Sequence, residues 1–415
     1  MPYSTGQLEK LGEILSVVLK TNLFQRERLR KPGEEEKLLE PRAFLEHCPF
    51  TTKEELAKDH LENPPYGTNL TFPLEDYVRF HQTSGTKGAP MTWLDTREDW
   101  EWMLDNWNTV LDAAIVETKA TCFFAFSFGP FLGFWTAFEA VHRRGCLSIP
   151  AGGMSSEQRL QAILNSNADY LFCTPTYALH LTEVAREKNW DLSKTNLRKI
   201  IVAGEPGGSS PELRQQLSKF WLGAEVSDHY GMTEVGPAAY ENPDEEGNLR
   251  IIQKSFLAEV VSPESGEPVD EGEQGELVLT TLGRIGSPVF RYRTGDLVVP
   301  KWSKGEDGET CLDLIGGILG RTDDMVLVRG VNLYPSSVDS IIRKFDEVSE
   351  YQVEIDERET MSEARIRVEA SSEVTEAIER SLTEAFSLRI PVESVPKGSL
   401  PRFEMKAKRW IRVES

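Results

Sequence analysis

A short polar segment at residues 81–90, His-Gln-Thr-Ser-Gly-Thr-Lys-Gly-Ala-Pro, carries residue types that could bind phosphate. Its hydroxyls, glycines and one cation are Ser84, Gly85, Thr86, Lys87 and Gly88. Glycines let a backbone approach a ligand closely, and hydroxyls, backbone amides and a lysine can bind phosphate oxygens. The spacing differs from that of a Walker loop, and an isolated segment of this composition is more often an ordinary surface turn. Its interpretation therefore depends on the motifs that follow it.

A second polar motif, residues 228–234, directly follows a predicted strand and reads Asp228-His229-Tyr230-Gly231-Met232-Thr233-Glu234. In parallel-sheet proteins, ligands bind beyond the carboxyl ends of the strands. Tyr230 could stack on a base, and Glu234 could ligate Mg²⁺, a hard cation that prefers oxygen ligands. The alternative is a turn that contains a buried tyrosine and a solvated glutamate.

Four further segments could contribute to the same cleft. Gly204, Glu205 and Pro206 end another predicted strand. In the segment 291–296, Asp296 could accept hydrogen bonds from both hydroxyls of a ribose, although an aspartate in a strand turn is the simpler interpretation. The segment 320–335 and the C-terminal segment 400–408, which contains Lys406, complete the set.

Composition excludes several function classes. The chain has 415 residues, enough for two or three domains, and a net charge of −21. Such a surface repels nucleic-acid backbones and anionic membranes, so we expect neither as a partner, and an anionic ligand needs a local positive site. No apolar run approaches the roughly 20 residues that span a bilayer, and the first residues lack a signal-peptide pattern.

The five cysteines predict neither a disulfide framework nor a zinc site. Their number is odd and they form no Cys-x-x-Cys pair; they are Cys48, Cys122, Cys146, Cys173 and Cys311. We interpret them as reduced residues, three of them in apolar strand-like stretches, which is typical of a protein from the cytoplasm.

Alternating helices and strands must position these motifs. Between residues 97 and 229, apolar strand-length runs alternate with helical patterns, which predicts an α/β fold with a mostly parallel sheet covered on both faces. We expect strands at 122–128, 146–150, 170–173, 199–203 and 225–229. Ser155 with Gln158 predicts a capping box, and Ser210 before Pro211 predicts a helix start.

Two further regions follow the parallel sheet. Strand patterns at 249–252, 257–262, 275–281 and 289–299 predict a small antiparallel β subdomain, at about residues 245–300. From about residue 320 the order strand, helix, strand, strand, helix, strand predicts a small ferredoxin-like α+β domain. We therefore expect a large domain over residues 1–320 and a small mobile domain over residues 321–415.

In order and spacing, these motifs resemble the adenylate-forming superfamily of acyl-CoA synthetases, and most of all the phenylacetate–CoA ligase group. The resemblance begins at Pro49-Phe50-Thr51-Thr52-Lys53 and continues to the terminal lysine motif. It implies ATP-dependent activation of a carboxylic acid to an acyl adenylate, followed by transfer to the thiol of CoA.

The resemblance also implies a role for each motif. Ser84 to Gly88 would hold the β- and γ-phosphates of ATP. Gly204, Glu205 and Pro206 would border the adenine. Residues 228–232, Asp228, His229, Tyr230, Gly231 and Met232, would line the nucleotide, with Tyr230 stacked on the base.

Further residues would act on the phosphates and ribose. Thr233 would contact the α-phosphate and Glu234 would ligate Mg²⁺. Asp296, assisted by Arg321, would bind the ribose, and Asp323 would lie at the hinge. Lys406 would be the catalytic cation, and the loop at Gly330 would face the site near the thiol channel after the small domain rotates.

The sequence departs from the family pattern in three places. Met405 stands where many relatives have glycine before the catalytic lysine, which leaves Lys408 as the alternative to Lys406. Lys87 replaces a common threonine. Residues 236–248 lack the cysteine cluster of some relatives, so we expect no zinc.

The acid and the assembly stay open at this stage. An aromatic run from Phe123 to Trp135 could line an aryl-acid pocket or could be plain core, and a homodimer is one candidate assembly. Two other functions compete with the ligase: an adenylyltransferase that transfers AMP without CoA, as related deazaflavin-modifying enzymes do, and a non-catalytic nucleotide-binding protein.

Overall fold

The computed structural model describes residues 3–29, 40–83, 90–305, 308–329, 331–356, 362–403 and 408–413. Three predicted features, Ser84 to Gly88, Gly330 and Lys406, lie outside these residues. The α-helices among the described residues are α1 (Thr5–Thr21), α2 (Leu23–Leu29), α3 (Pro41–His47), α4 (Lys53–Glu62), α5 (Arg97–Ala113), α6 (Trp135–Arg143), α7 (Ser156–Ser166), α8 (Pro175–Glu187), α9 (Pro211–Phe220), α10 (Pro335–Ile342) and α11 (Ser372–Phe386).

The strands follow the same chain order. They are β1 (Tyr77–Gln82), β2 (Thr92–Thr96), β3 (Thr121–Phe124), β4 (Leu147–Pro150), β5 (Tyr170–Cys173), β6 (Lys199–Val202), β7 (Glu225–Met232), β8 (Gly236–Glu241), β9 (Leu249–Ile251), β10 (Phe256–Val261), β11 (Gly275–Thr281), β12 (Tyr292–Val298), β13 (Pro300–Lys304), β14 (Thr310–Leu314), β15 (Gly320–Arg321), β16 (Val326–Val328), β17 (Val331–Leu333), β18 (Tyr351–Asp356), β19 (Glu363–Val368), β20 (Val392–Ser394) and β21 (Trp410–Val413).

A nine-stranded sheet forms the centre of the large domain. Its order is β13-β14-β9-β8-β7-β6-β5-β3-β4, and the strands from β4 to β7 run parallel. Side chains of α5 and α6 pack in the core on one face, and those of α7, α8 and α9 pack in the core on the other. The prediction of a parallel sheet covered on both faces is confirmed.

Local sequence signals start the helices that cover this sheet. Ser155 caps α7 in a reciprocal capping box with Gln158, as predicted, and Thr96 caps α5 in the same way with Asp99. Ser210 caps α9 with a proline at its first turn. Each of these capped helices buries its apolar side chains in one of the cores beside the sheet.

Two strand predictions need correction. The strand expected at 122–128 ends at Phe124, and Phe126 and Phe128 belong to the following irregular segment. The strand at Leu249–Ile251 extends the nine-stranded sheet and is not part of the antiparallel subdomain. The reason is its pairing with β8 and β14, where Arg250 forms a buried ion pair with Asp313. The separate four-stranded sheet has the order β10-β11-β12-β15.

The small domain has its own hydrophobic core, which is built from residues between Val326 and Ile390. Its sheet has the order β20-β19-β18-β21, and α10 and α11 contribute to the core beneath it. Residues 326–328 differ from the prediction, because they pair with 331–333 in a separate two-stranded sheet. Trp410–Val413 instead occupies the edge beside β18, in a parallel pairing. Among the described residues, no helix is both long and apolar enough to cross a membrane.

Candidate nucleotide site

Tyr230, Asp296 and Arg321 converge on one point, although they are far apart in sequence. The Tyr230 hydroxyl donates to Asp296 Oδ2 at 2.6 Å, and Arg321 Nη1 donates to Asp296 Oδ1 at 3.0 Å. The antiparallel pairing of β12 with β15 places Asp296 opposite Arg321. Burial, and then the neighbouring Asp296, raises the pKa of Tyr230 well above its usual value, so its phenol stays protonated and keeps its donor.

The turn after β7 presents Thr233 and Glu234 near this cluster. Glu234 is buried, whereas Thr233 is half-buried and its carbonyl oxygen accepts a hydrogen bond from Arg284 Nη1 at 2.5 Å. Tyr292 lies close enough to sense both the turn and the cluster. Burial raises the pKa of its phenol well above 10, and the charges of Glu234 and Asp296 raise it further. The charges of Glu234 and Asp296 therefore act on one buried ring.

Lys53 lies beside Glu234 and was not singled out from the sequence. Lys53 Nζ is 3.5 Å from Glu234 Oε1, and the lysine side chain is half-exposed. The preceding Thr51 is bound to the segment before Asp296, because its hydroxyl donates to Phe290 O at 2.5 Å and its amide donates to Arg291 O at 3.0 Å. The available signal was the stretch 49–53, where Lys53 follows two threonines at the start of α4.

The loop after β6 is held by polar contacts. Glu205 Oε1 accepts a hydrogen bond from the amide of Thr176 at 2.7 Å, and Gly204 adopts a φ of +96°, a conformation that favours glycine. Asp228 Oδ2 accepts a bond from Ser209 Oγ at 2.7 Å. Asp228 therefore supports the chain just after Pro206.

The other members of the 228–232 motif are placed by packing. The His229 ring lies 4.1 Å from the Trp107 ring, and its Nδ1 is 2.8 Å from Ala239 O. Burial lowers the pKa of His229 to about 4, so the ring is neutral near pH 7. Gly231 lies against β8, where a Cβ would stand 2.7 Å from the carbonyl oxygen of Gly236, and Met232 packs on the main core.

The aromatic run divides between core and a partly open cluster. Phe123 and Phe124 are fully buried in the cores on opposite faces of the sheet. Phe126, Phe128 and Trp135 are only half-buried, and the rings of Phe128 and Trp135 lie 4.6 Å apart. The second group packs against the main core and is the more exposed part of the run.

Family comparisons cover both domains. The model of the AMP-binding enzyme family matches residues 15–283, and that of the AMP-binding enzyme C-terminal domain matches residues 330–412. The phenylacetate–coenzyme A ligase of Thermus thermophilus is 30% identical over 96% of this chain and 93% of its own length. The enzyme of the same name from Escherichia coli is 33% identical over 88% of this chain and 84% of its own length.

Solved structures extend the likeness to the arrangement of the domains. A 2-hydroxyisobutyryl-CoA ligase in the postadenylation state, bound to its acyl adenylate, superposes with a TM-score of 0.90 at 25% identity, covering 98% of this chain and 89% of that chain. The same ligase in the thioesterification state, with CoA, superposes with a TM-score of 0.72 over 98% and 88%. The expected family and fold class are confirmed: the chain belongs to the AMP-binding enzyme family, as an adenylate-forming protein like the phenylacetate–coenzyme A ligases.

Proposed function

We propose that this protein couples an aromatic carboxylic acid to CoA. In the first step, the acid carboxylate attacks the α-phosphorus of ATP, which gives an acyl adenylate and pyrophosphate. In the second step, the thiol of CoA attacks the acyl carbon and AMP leaves. The supporting observation is the convergence of Tyr230, Asp296 and Arg321 beside the Thr233–Glu234 turn, in a chain whose relatives are acid–CoA ligases.

We assign the nucleotide contacts to these residues. Asp296 would accept hydrogen bonds from the ribose hydroxyls, and Tyr230 and Arg321 orient its carboxylate. The adenine would lie between the Tyr230 ring and the loop of Gly204, Glu205 and Pro206. Asp228 would hold that loop in place by accepting a hydrogen bond from Ser209. His229 would border the acyl pocket as a neutral ring.

The remaining assignments concern the reacting groups. Thr233 would contact the α-phosphate. Three assignments rest on the sequence motifs alone: Ser84, Gly85, Thr86, Lys87 and Gly88 for the outer phosphates, Lys406 for the acyl carboxylate and α-phosphate, and Gly330 for the thiol side. Fixed cations and amides at such positions stabilise charge that develops on phosphate oxygens in the transition state.

The Glu234 carboxylate suits Mg²⁺. It is buried at the turn, and Mg²⁺ with nucleotides is usually held by one or two carboxylates together with phosphate oxygens and water. Among the described residues, no group of three or more acidic, histidine or cysteine side chains could hold a metal by itself, so phosphate oxygens would complete the site. Bound there, Mg²⁺ would neutralise phosphate charge.

The two steps use one site in two domain arrangements. We propose a large domain at residues 1–320, which contains the separate sheet of β10, β11, β12 and β15, and a small domain at 321–415 that rotates about Asp323. Small acids, ATP and CoA would be its partners in the cytoplasm, in a monomer or homodimer, without nucleic acid or membrane. Rotation lets different groups act in turn on the same acyl carbon.

A pyrophosphate-release assay over a panel of carboxylic acids, with and without CoA, tests this function. We expect ATP- and acid-dependent pyrophosphate release and CoA-dependent thioester formation, with aryl acids preferred. Lys406→Ala should lower pyrophosphate release by about 100- to 1,000-fold, whereas Lys408→Ala, the matched control, should change it little.

Four outcomes would contradict the proposal in different ways. Equal release by wild type and Lys406→Ala would remove the role of Lys406, and a selective loss in Lys408→Ala would transfer it to Lys408. A CoA-independent product that carries AMP would favour the adenylyltransferase. ATP binding without turnover of any acid would favour a non-catalytic protein.

A further inference from the structure

Strands β1 and β2 pair antiparallel and form the β1–β2 hairpin. The segment from Gly283 to Ser287, which follows β11, is bound to this hairpin and to the start of α5. Ser287 Oγ donates to Leu94 O at 2.8 Å, and the amide of Gly286 donates to Asp99 Oδ1 at 3.1 Å. The Tyr77 hydroxyl donates to Gly286 O at 2.6 Å. Four elements of the large domain, β1, β2, the start of α5 and this segment, are therefore fixed to one another.

Arg284 extends these contacts to the proposed α-phosphate turn. Its side chain is fully buried; Nε donates to Asp95 Oδ1 at 2.6 Å and Nη1 donates to Thr233 O at 2.5 Å. The guanidinium also lies over the Trp93 ring, 5.1 Å from its centre. One rigid cation thus bridges strand β2 and the turn that carries Thr233 and Glu234.

Asp95, which Arg284 contacts, also links the two strands of the hairpin. Asp95 is fully buried, and His81 Nδ1 on β1 lies 3.5 Å from Asp95 Oδ2. Burial alone would raise the pKa of Asp95, but Arg284 and His81 lower it, so the carboxylate is charged and paired. Next to the chain that connects the two strands, the amide of Thr83 donates to Met91 O at 2.9 Å. The chain between these stems contains Ser84 to Gly88.

We propose that Arg284 is a positioning residue that sets the spacing between the β1 and β2 stems, which flank the predicted phosphate segment, and the Thr233–Glu234 turn. This inference rests on the proposed function, in which the hairpin serves the outer phosphates and the turn serves the α-phosphate. A triphosphate must contact both, whereas AMP contacts only the turn. Arg284 acts on this spacing through Asp95 and the carbonyl oxygen of Thr233, and it touches no reacting atom.

Arg284→Lys tests the proposal, because a single ammonium keeps the charge beside Asp95 but lacks the planar fork that reaches both partners. We expect kcat for pyrophosphate release to fall by about 100-fold, since misplacement by about 1 Å can cost that much. The dissociation constant of α,β-methylene-ATP should rise at least about tenfold, while that of AMP changes by less than about threefold.

Arg250→Lys is the matched control, because Arg250 forms a comparable buried pair with Asp313 between β9 and β14, near the β13 edge of the large sheet, at 2.7 Å. It should leave kcat and both dissociation constants unchanged. An Arg284→Lys protein with wild-type kcat, or with equal weakening of AMP and the triphosphate, would overturn the proposal.

A second variant covers a failure to fold. If Arg284→Lys does not fold, Asp95→Asn is measured in the same way, with the same selective loss of triphosphate affinity expected. If neither variant folds, the pair serves stability and the proposal is wrong. A wild type without pyrophosphate release would refute the proposed function, while the two dissociation constants would still test the role of Arg284.

Discussion

Asp228 combines burial with a neighbouring negative charge. Its carboxyl is almost fully enclosed, with Ser209 as a donor and Glu241 nearby, and burial raises its pKa from 3.8 to about 7. Glu241 is itself held by Arg214 at 2.6 Å. Because the unfolded chain releases this proton near pH 4 and the native chain holds it until about pH 7, stability that is present at low pH is lost as the pH rises through 7.

Asp228→Asn should remove this pH dependence, because the amide keeps the shape without the ionisation. Between pH 5 and pH 8, the free energy of unfolding of the variant relative to wild type should increase by about 2–3 kcal/mol. Urea unfolding at the two pH values measures it. Asp191→Asn is the control: Ser193 lowers the pKa of this exposed carboxyl, so it should show no change over this range. An equal response of both variants would contradict the prediction.

Lys53 offers a second prediction about a single residue. Its ammonium is 3.5 Å from Glu234, so it would compete with Mg²⁺ bound at the carboxylate that we propose as its ligand. Lys53→Gln should lower the half-saturating Mg²⁺ concentration by about two- to fivefold, because partly exposed ion pairs are worth about 0.2–1 kcal/mol. A Mg²⁺ titration of pyrophosphate release at saturating ATP measures this.

Lys58→Gln is the control, because Lys58 lies on the same helix and pairs with Glu62 at 3.8 Å. It should leave the Mg²⁺ requirement unchanged. A rise in the Mg²⁺ requirement of Lys53→Gln, or a large loss of kcat, would instead assign Lys53 to the phosphates.

At the scale of elements, sequence patterns predicted the contiguous structure well. The parallel strands and the capping box at Ser155 follow from signals within a few residues. The position of β9 could not be read in this way, because it depends on Arg250 meeting Asp313, 63 residues further along the chain. The link from Arg284 to Thr233 is equally non-local. The motif residues at 84–88, 330 and 406 remain predictions.

Gly231 shows how strand pairing constrains the site. It lies at an irregularity in the pairing of β7 with β8, and an added Cβ would stand 2.7 Å from Gly236 O and 3.1 Å from Pro237 Cα. These neighbours are backbone atoms, so relief requires the two strands to separate. Because Tyr230 and Thr233 flank this point, the separation would displace both.

Gly231→Ala should therefore lower the free energy of unfolding by about 1–3 kcal/mol and should raise the KM for ATP. Chemical unfolding and steady-state kinetics measure the two effects. Gly12→Ala is the matched control: it lies within α1, where the nearest atom to an added Cβ is 3.4 Å away, so it should be neutral or stabilise by about 0.5–1 kcal/mol. Wild-type stability in Gly231→Ala would show that the strands accommodate the methyl group.

At the scale of the whole molecule, polar contacts join the two domains. Lys219 Nζ lies 2.6 Å from Asp346 Oδ2, Gln216 Nε2 donates to Arg343 O at 2.9 Å, and Arg402 Nε lies 3.3 Å from Glu183. The Lys219–Asp346 pair is largely exposed, so it costs little to break, whereas the hydrogen bond from Gln216 is buried. The overall shape agrees better with the postadenylation state than with the thioesterification state of the hydroxyisobutyryl-CoA ligase, with TM-scores of 0.90 and 0.72. These contacts therefore belong to an arrangement that resembles the postadenylation state of that ligase.

Reversing one charge of the Lys219–Asp346 pair should disfavour that arrangement. Lys219→Glu places two negative charges together, so we expect pyrophosphate release to slow by about two- to fivefold. Thioester formation from supplied acyl adenylate should keep its rate or increase, because in the proposed cycle it uses the other arrangement. Asp346→Lys should act in the same way, and the double reversal should restore the first step.

The control for these charge reversals is an ion pair of similar exposure within the large domain. Lys188 Nζ lies 3.2 Å from Glu157 Oε2, and both side chains are about half-exposed, so Lys188→Glu changes the net charge by the same amount without altering Lys219 or Asp346. It should leave both half-reactions unchanged. If Lys188→Glu slowed the first step equally, the effect would come from net charge. If the double reversal stayed slow, Lys219 and Asp346 would not act as a pair, and the stability of the first arrangement would lie in the contacts of Gln216 and Arg402.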